Sequence, residues 1–373
     1  MENCKVINVR KALIGEDLEV KDNVNIEICN GYITHIGNGF SSNAKSFTNE
    51  IAIPSLINSH VHMLDYAFPE IGIDKTIKEL VGDPNSLKYE LLSKQNEKDL
   101  INFSLSFISN SINFGVTTIA DFRELGILGS KIALNIKRKL KGINYIILGR
   151  LEKNEFNDKN LVRLAEIDDG FGASSISTYS PQELMKISEI FKNKIRAAHI
   201  SETLKQNLKN DLEFFMKYLR PNLIIHGTWF SDYELLILKE KNVSLVLCPR
   251  SNLWFSTGIP RIASAIKLGV NILLGTDNAA WISPNLWKEM ETALLISRLQ
   301  DPLSNYSKEI LKAATVNARL FGTNKIDEGE KSNFIIIEGE KTGILRAYDI
   351  YSAIIKRGSE GNITYVEQPR ILT

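Results

Sequence analysis

Five histidines occur in 373 residues, and two of them, His60 and His62, are separated by one residue. Random placement would give roughly 0.07 such pairs in a chain of this length and histidine content. On a β-strand, side chains at i and i+2 point to the same face, so the pair presents two imidazoles side by side. That arrangement suits zinc or a similar ion, which takes nitrogen ligands at about 2.0–2.1 Å. The alternative is two polar residues hydrogen-bonded within an interior layer. Further along stand His199 with Glu202 three residues later, His226, and Asp277 in Gly275-Thr276-Asp277-Asn278. Alone, each has a bland reading: a strand-end histidine is often structural, and Gly-Thr-Asp could be a turn or helix cap. His35 lies apart from the group and reads as structural or exposed.

The elements that must carry these residues follow from apolar periodicity. Residues 3–53 read as short strands, Lys5–Asn8, Asn25–Cys29 and Tyr32–Ile36, with Asn30-Gly31 as a hairpin turn. The apolar run Ile51–Ile57 leads into the histidine pair. Seven further strands are expected: Val116–Phe122, Ile143–Leu148, Phe171–Ser177, Ile195–Ile200, Leu223–His226, Val243–Cys248 and Val270–Gly275. Helical stretches fall between most of them, among them Leu100–Asn113, Pro181–Phe191, Thr203–Leu219, Ser231–Lys241 and Arg261–Lys267. Eight strand–helix units in about 250 residues match a TIM barrel, although a doubly wound open sheet has the same alternation. In the barrel, four of the five histidines would end strands on the one face where such folds hold their active sites. Two helices, near Pro284–Leu299 and Ser307–Phe321, follow the eighth strand. The tail from Ile326 to Thr373 reads as short β-rich runs that could pair with the N-terminal strands.

Composition narrows the function classes. Apolar residues make up 43% and charged residues 24%, the balance of a globular protein. Lysine plus arginine number 45 against 44 acidic residues, so the net charge of +1 gives no footprint for nucleic acid or an anionic membrane. No run of about 18 apolar residues exists, and Met1–Arg10 lacks a signal-peptide pattern. Cys4, Cys29 and Cys248 form neither a disulfide framework nor a zinc-finger spacing. A reduced, cytoplasmic protein acting on a small molecule is therefore expected. The oligomeric state stays open, a homo-oligomer included.

The motifs, taken in order, resemble the amidohydrolase superfamily. Pro54-Ser55-Leu56-Ile57-Asn58-Ser59-His60-Val61-His62 is similar to its signature. His199-Ile200-Ser201-Glu202-Thr203, Cys248-Pro249-Arg250-Ser251-Asn252 and Gly275-Thr276-Asp277 resemble the fifth-, seventh- and eighth-strand motifs of its ring-deaminating branch. That branch includes cytosine, guanine and adenosylhomocysteine deaminases and triazine hydrolases. The resemblance spans Ile53 to about Phe334. It implies a distorted (β/α)8 TIM barrel over 53–325 with a small β-sandwich from 1–52 and 326–373. It also implies that His60, His62, His199 and Asp277 hold one divalent metal, with zinc expected and iron the alternative. Glu202, His226 and Asp277 would then be catalytic.

Three departures from the pattern stand out. Ser55 replaces the usual glycine, which removes only backbone freedom. Ser332-Asn333 replaces the usual Ala-Asp. The fourth-strand end, Ser174–Pro181, has no lysine or carboxylate to bridge a second ion, which favours a single metal. The segment Met63–Gln95 is short for a substrate-covering loop and matches no substrate-specific pattern.

Hydrolytic deamination of an aminated heterocycle is the leading expectation. Removal of chloride or an alkylamine from a triazine-like ring would use the same residues. Amide or lactam hydrolysis is a second reading, and an inactive barrel scaffold a third. Substrate-facing residues are expected in strand-end loops: Arg123, Glu124, Arg150, Trp229, Arg250, Trp254 and Trp281. Tryptophans there could stack on a planar ring, and arginines could grip a carboxylate or ribose oxygen. Alternatively they pack loops and pair with local acids.

Overall fold

The computed structural model describes residues 4–82, 85–322, 324–367 and 370–371. Four N-terminal strands, β1 (Cys4–Ile14), β2 (Glu19–Cys29), β3 (Tyr32–Asn38) and β4 (Lys45–Pro54), come first. The β2–β3 turn is Asn30-Gly31, both at positive φ (53° and 85°), as a tight hairpin of this hand requires. Next come β5 (Leu56–His62), β6 (Val116–Arg123), β7 (Asn144–Gly149), β8 (Gly170–Ala173) and β9 (Ile195–Ile200). They continue with β10 (Leu223–His226), β11 (Ser244–Leu247), β12 (Ile272–Leu274) and β13 (Asp277–Asn278). The tail adds β14 (Phe334–Glu338) and β15 (Ile363–Val366).

Strands β5 to β13 form one nine-stranded sheet, with neighbouring strands parallel throughout. The sheet closes on itself, because the eighth strand is in two pieces. Its first piece, β12, pairs with β11, and its second, β13, pairs with β5 through Asp277 opposite Val61. The alternation thus resolves as a barrel and not an open sheet. Ile57, Ala120, Phe122, Leu148, Ala197, Ile225, Val246 and Leu273 fill its interior beneath the histidines.

Helices cover the outside. Pro181–Ile190 shows why one forms where it does: Ser180 and Glu183 make a reciprocal capping box, proline sits in the first turn, and Leu184 and Ile187 are buried. The expected helix Thr203–Leu219 is instead two, Leu204–Asn207 and Asp211–Tyr218, broken where Asn210 turns left-handed. The Asp211 carboxylate accepts from the Ser201 amide and hydroxyl, both at 2.6 Å, which ties the second helix to the end of β9. Expected strand Phe171–Ser177 stops at Ala173.

Strands β1–β4, β14 and β15 form a separate six-stranded sheet in the order β15-β14-β4-β1-β2-β3. It curls until Ile33 bonds to Glu330 and Gly329, and encloses its own apolar core around Val9, Ile26 and Phe334. The tail is not wholly β-rich as expected. Asp349 caps a helix, Ile350–Arg357, whose Ala353, Ile354 and Ile355 are buried. Ser55 lies between β4 and β5 without a positive φ, so glycine is not needed there.

The cysteine reading is corrected. Cys4 and Cys29 are joined in a disulfide, and only Cys248 is free. The β1–β2 pairing sets Cys4 directly opposite Cys29, a register that residue spacing alone does not reveal. No described helix is long and apolar enough to cross a membrane.

Candidate active site

His60 and His62 sit at the end of β5, which is distorted by a bulge between Asn58 and Val61. Asn58 clamps the neighbouring strand: its side-chain amide donates to Thr276 Oγ1 at 2.8 Å and its side-chain carbonyl accepts from the Thr276 amide at 3.0 Å. Gly275 passes so close that a Cβ there would lie 2.7 Å from His60 Cβ. Glycine is therefore what lets β13 bring Asp277 beside the histidines. His199 continues the inward row Ile195–Ala197 of β9. In β10, Leu223 and Ile225 face inward, and strict alternation would turn His226 out. A left-handed backbone at His226 (φ 75°) turns it back to the mouth, and Asp277 is left-handed too (φ 62°). Such conformations cost of order 1–3 kcal/mol and persist where surrounding structure enforces them.

The side chains converge. His60 Nε2 is 3.1 Å from Asp277 Oδ1, and His62 Nε2 is 3.6 Å from the same oxygen. His226 Nε2 lies 3.6 Å from Glu202 Oε1 and 3.9 Å from Asp277 Oδ2. Ser251 Oγ donates to Asp277 Oδ2 at 2.6 Å, and the Asn278 amide to the same oxygen at 2.9 Å. His60, His62 and Asp277 offer ligand atoms within 4.8 Å of one another, as do His60, His199 and His226.

Hydrogen-bond partners assign the imidazole tautomers. His62 Nδ1 faces the Glu124 carboxylate at 2.5 Å, and His199 Nδ1 faces the Ala173 carbonyl at 2.9 Å. Both partners only accept, so each Nδ1 carries the proton and each Nε2 presents a bare lone pair. Those two Nε2 atoms stand 3.3 Å apart. Two lone pairs at that distance call for a cation between them, so the donor set fits a divalent metal. His226 differs: its Nδ1 faces the Asn252 amide nitrogen at 3.2 Å. That partner donates, which leaves the His226 proton on Nε2, pointing toward Glu202 and Asp277.

Electrostatics agree. Burial lowers His60 to about 3, despite Asp277, so its imidazole is neutral. Burial and the neighbouring histidines bring His199 well below its ordinary value. Burial acts to raise Asp277, but His60, His226 and His62 overcome it and hold the carboxylate ionised. At Glu202 burial prevails over His226 and raises the carboxyl above its ordinary value.

A cavity of about 650 Å³ opens above this cluster, with His62, His199, Glu202, His226 and Asp277 in its wall. Of the arginines and tryptophans expected to face substrate, Arg150 lines it. The other five are turned elsewhere. Phe122 faces inward against His60, with ring centres 4.3 Å apart, so the next residue, Arg123, faces outward and is buried with Asp121 and Tyr145. The Arg250 guanidinium is accepted by the Ser283 and Asn285 carbonyls. Trp281 is buried and donates to the Ile71 carbonyl at 2.9 Å. Trp229 donates to the Thr257 carbonyl and lines a different depression, of about 740 Å³, between the helices Asp211–Tyr218 and Asp232–Glu240. Trp254 is exposed at the end of a short helix and does not line the site cavity. Glu124 bonds His62 instead of facing substrate. His35 is exposed and pairs with Glu328.

Several contributors carry no sequence signal of their own. Lys88, Tyr89, Ile77 and Val81 come from the segment after β5 and line the cavity, so this short segment does cover the site. Asp65, Asp211 and Asn252 act through their neighbours, and a lone polar residue in a loop or helix does not advertise such a partner.

A closed parallel barrel with a histidine–carboxylate cluster at the C-terminal ends of its strands is the architecture of a metal-dependent hydrolase. The amidohydrolase family model matches residues 51–366, and the chain belongs to that family, hydrolases of carbon–nitrogen bonds. It is 31% identical over 340 residues to the uncharacterised protein MJ0699 of Methanocaldococcus jannaschii, covering 84% of this chain and 85% of that one. It is 26% identical over 388 residues to a 5-methylthioadenosine/S-adenosylhomocysteine deaminase of Caldicellulosiruptor saccharolyticus, covering 94% and 88%. A zinc-bound adenosine deaminase of Xanthomonas campestris has the same fold, with a TM-score of 0.81 at 16% identity over 98% of this chain and 92% of that one.

Proposed function

We propose that this protein hydrolytically deaminates an aminated heterocycle, a purine, pyrimidine or related ring, using one divalent metal. Zinc is the assigned ion, in keeping with the zinc of the structural neighbour. His60, His62, His199 and Asp277 would hold it. When bound, the ion lowers the pKa of a water toward 7 and so supplies the nucleophile. The strand-four end offers only Ser174–Ser177 near the site, with no lysine or carboxylate to hold a second ion.

The observation that carries the reading is Glu202. It stands in the cavity wall with its carboxyl raised by burial, 3.6 Å from His226 Nε2. An amide needs a proton only at its leaving nitrogen. An aminated ring needs one at the ring nitrogen and another at the departing amine, and a carboxyl poised to hold a proton serves both. Asp277 takes the proton of the attacking water. Glu202 gives its proton to the ring nitrogen, takes up the remaining proton of the added hydroxyl and passes it to the departing amine, and Asp277 then returns its proton to Glu202, so that both carboxyls end as they began. His226 donates from Nε2 to the oxygen that develops on the ring carbon. The ring carbon gains a C–O bond and loses its C–N bond, and ammonia leaves.

The test is ammonia release from a panel of aminated purines, pyrimidines and nucleosides, with amides, lactams and chlorotriazines run alongside. Ammonia from at least one ring substrate, by protein containing one metal per chain, is expected. Amide cleavage without ring deamination would overturn the reading, and two metals per active chain would overturn its mononuclear form.

A further inference from the structure

A buried ionic group that the deamination steps leave unused reaches the cavity wall at Lys88. Lys88 Nζ donates to Asp65 Oδ2 at 3.0 Å and to Glu124 Oε1 at 2.6 Å. Its side chain is 4% exposed, and those of Asp65 and Glu124 are 2% and 0%. Glu124 Oε1 is the same oxygen that faces His62 Nδ1. Arg150 reaches to within 4.0 Å of that oxygen as well. The second oxygens of both carboxylates, Asp65 Oδ1 and Glu124 Oε2, are buried without a hydrogen-bond partner. A buried carboxylate with one oxygen bare depends heavily on the donors to its other oxygen.

We infer that Lys88 is a positioning residue for the metal ligand His62, acting through Glu124 and linking the segment that covers the cavity to the metal site. Lys88 lies in the helix Leu87–Ser93, whose Tyr89 lines the cavity, as do Ile77 and Val81 before it. Residues that would touch substrate and a residue that orients a metal ligand thus share one short stretch of chain. The ammonium fixes Glu124 Oε1, and Glu124 in turn fixes the ring plane of His62 and the direction of its Nε2 lone pair. Without Lys88, only the His62 Nδ1–H bond holds the carboxylate in place against a rival cation in Arg150. Outer partners of this kind change metal affinity about 10–100-fold when removed. This inference rests on the metal site proposed above.

The experiment titrates metal-free protein with zinc against a chromophoric chelator, for wild type, Lys88→Met, Glu124→Gln and the double variant. Lys88→Met and Glu124→Gln are each expected to raise the zinc Kd about 10–100-fold. Because the two act in series, the double variant should be no weaker than the weaker single one. A purely structural lysine would lower the melting temperature and leave the zinc Kd within about twofold. That result, or losses that multiply in the double variant, overturns the inference while leaving the metal site intact. Wild type that binds no zinc overturns both. Where Lys88→Met does not fold, Lys88→Met with Asp65→Asn removes one stranded carboxylate and must show the same loss of zinc affinity. Wild-type affinity in that variant overturns the inference equally.

Discussion

Two buried polar clusters lie on neighbouring strands and obey opposite rules. In the first, Arg123 donates to the Tyr145 hydroxyl, which donates to Asp121 Oδ2 at 2.6 Å, and the Met63 amide donates to Asp121 Oδ1 at 3.0 Å. Donor meets acceptor along the chain, and the cluster faces the helix layer. In the second, at the barrel mouth, acceptor meets acceptor: bare Nε2 lone pairs of His62 and His199 converge beside the Asp277 carboxylate. The first sets donors against the Asp121 carboxylate and brings no two acceptors together, although Arg123 Nε and Nη1 are buried without a partner; the second leaves facing lone pairs that only a ligand can satisfy. Burial and charge are common to both, so neither marks a functional site. What marks it is an unmatched set of lone pairs facing a cavity.

That contrast can be broken by substitution. The largest effect is expected from His60→Ala, which removes one of the nitrogens proposed to hold the metal. Metal content by elemental analysis and activity should both fall to background, and retained metal would remove His60 from the ligand set. Glu202→Gln keeps shape but cannot carry a proton, so kcat should fall roughly 10²–10⁴-fold with metal retained. Full activity in this variant would rule out the deaminase mechanism. His226→Asn should keep most of the metal and lower kcat about 10²–10³-fold, the loss typical of one oxyanion donor. Metal loss there would make His226 a ligand, and an unchanged kcat in folded protein would make it structural.

The matched cluster should respond in stability alone. Arg123→Met strands the Asp121 charge and should cost about 3–5 kcal/mol in denaturant unfolding, with zinc stoichiometry unchanged. A loss of zinc without a loss of stability would erase the distinction between the clusters. The smallest effect is expected from Trp254→Ala, outside the cavity, which should alter stability by less than about 0.5 kcal/mol and leave KM as it is. A raised KM would bring Trp254 back to the substrate.

Legibility followed the range of the interaction. The strands, the His60–His62 pair and the strand-end positions of His199, His226 and Asp277 were readable because each is a local pattern of types and spacing. Arg123 is instructive in the other direction. Its place just after a strand suggests the mouth, yet Phe122 takes the inward position and leaves Arg123 the outward one. Local sequence marks the alternation but not which parity faces in. Trp281 and Arg250 likewise met nearer partners in the Ile71, Ser283 and Asn285 carbonyls. The Cys4–Cys29 bond and the tail helix Ile350–Arg357 also went unread, the first for want of a register and the second because its apolar residues suit either state.

The sequence by itself determined the parts: eight strands with helices between them, three histidines and an aspartate able to bind metal, and a glutamate able to carry a proton. The strands, the helices and the His60–His62 pair follow from side-chain chemistry and from periods of 2 and 3.6 residues, which act over one or two turns of chain, while the choice of His199, Glu202 and Asp277 rests on the family resemblance of their motifs. Tertiary structure alone decided the tautomers, because the partner of each Nδ1 comes from elsewhere: Glu124 for His62, Ala173 for His199 and Asn252 for His226. It also decided that Lys88, 26 residues beyond His62, comes back to brace it through Glu124. A hydrogen bond is fixed by a few tenths of an ångström in space, and distance along the chain carries no trace of it.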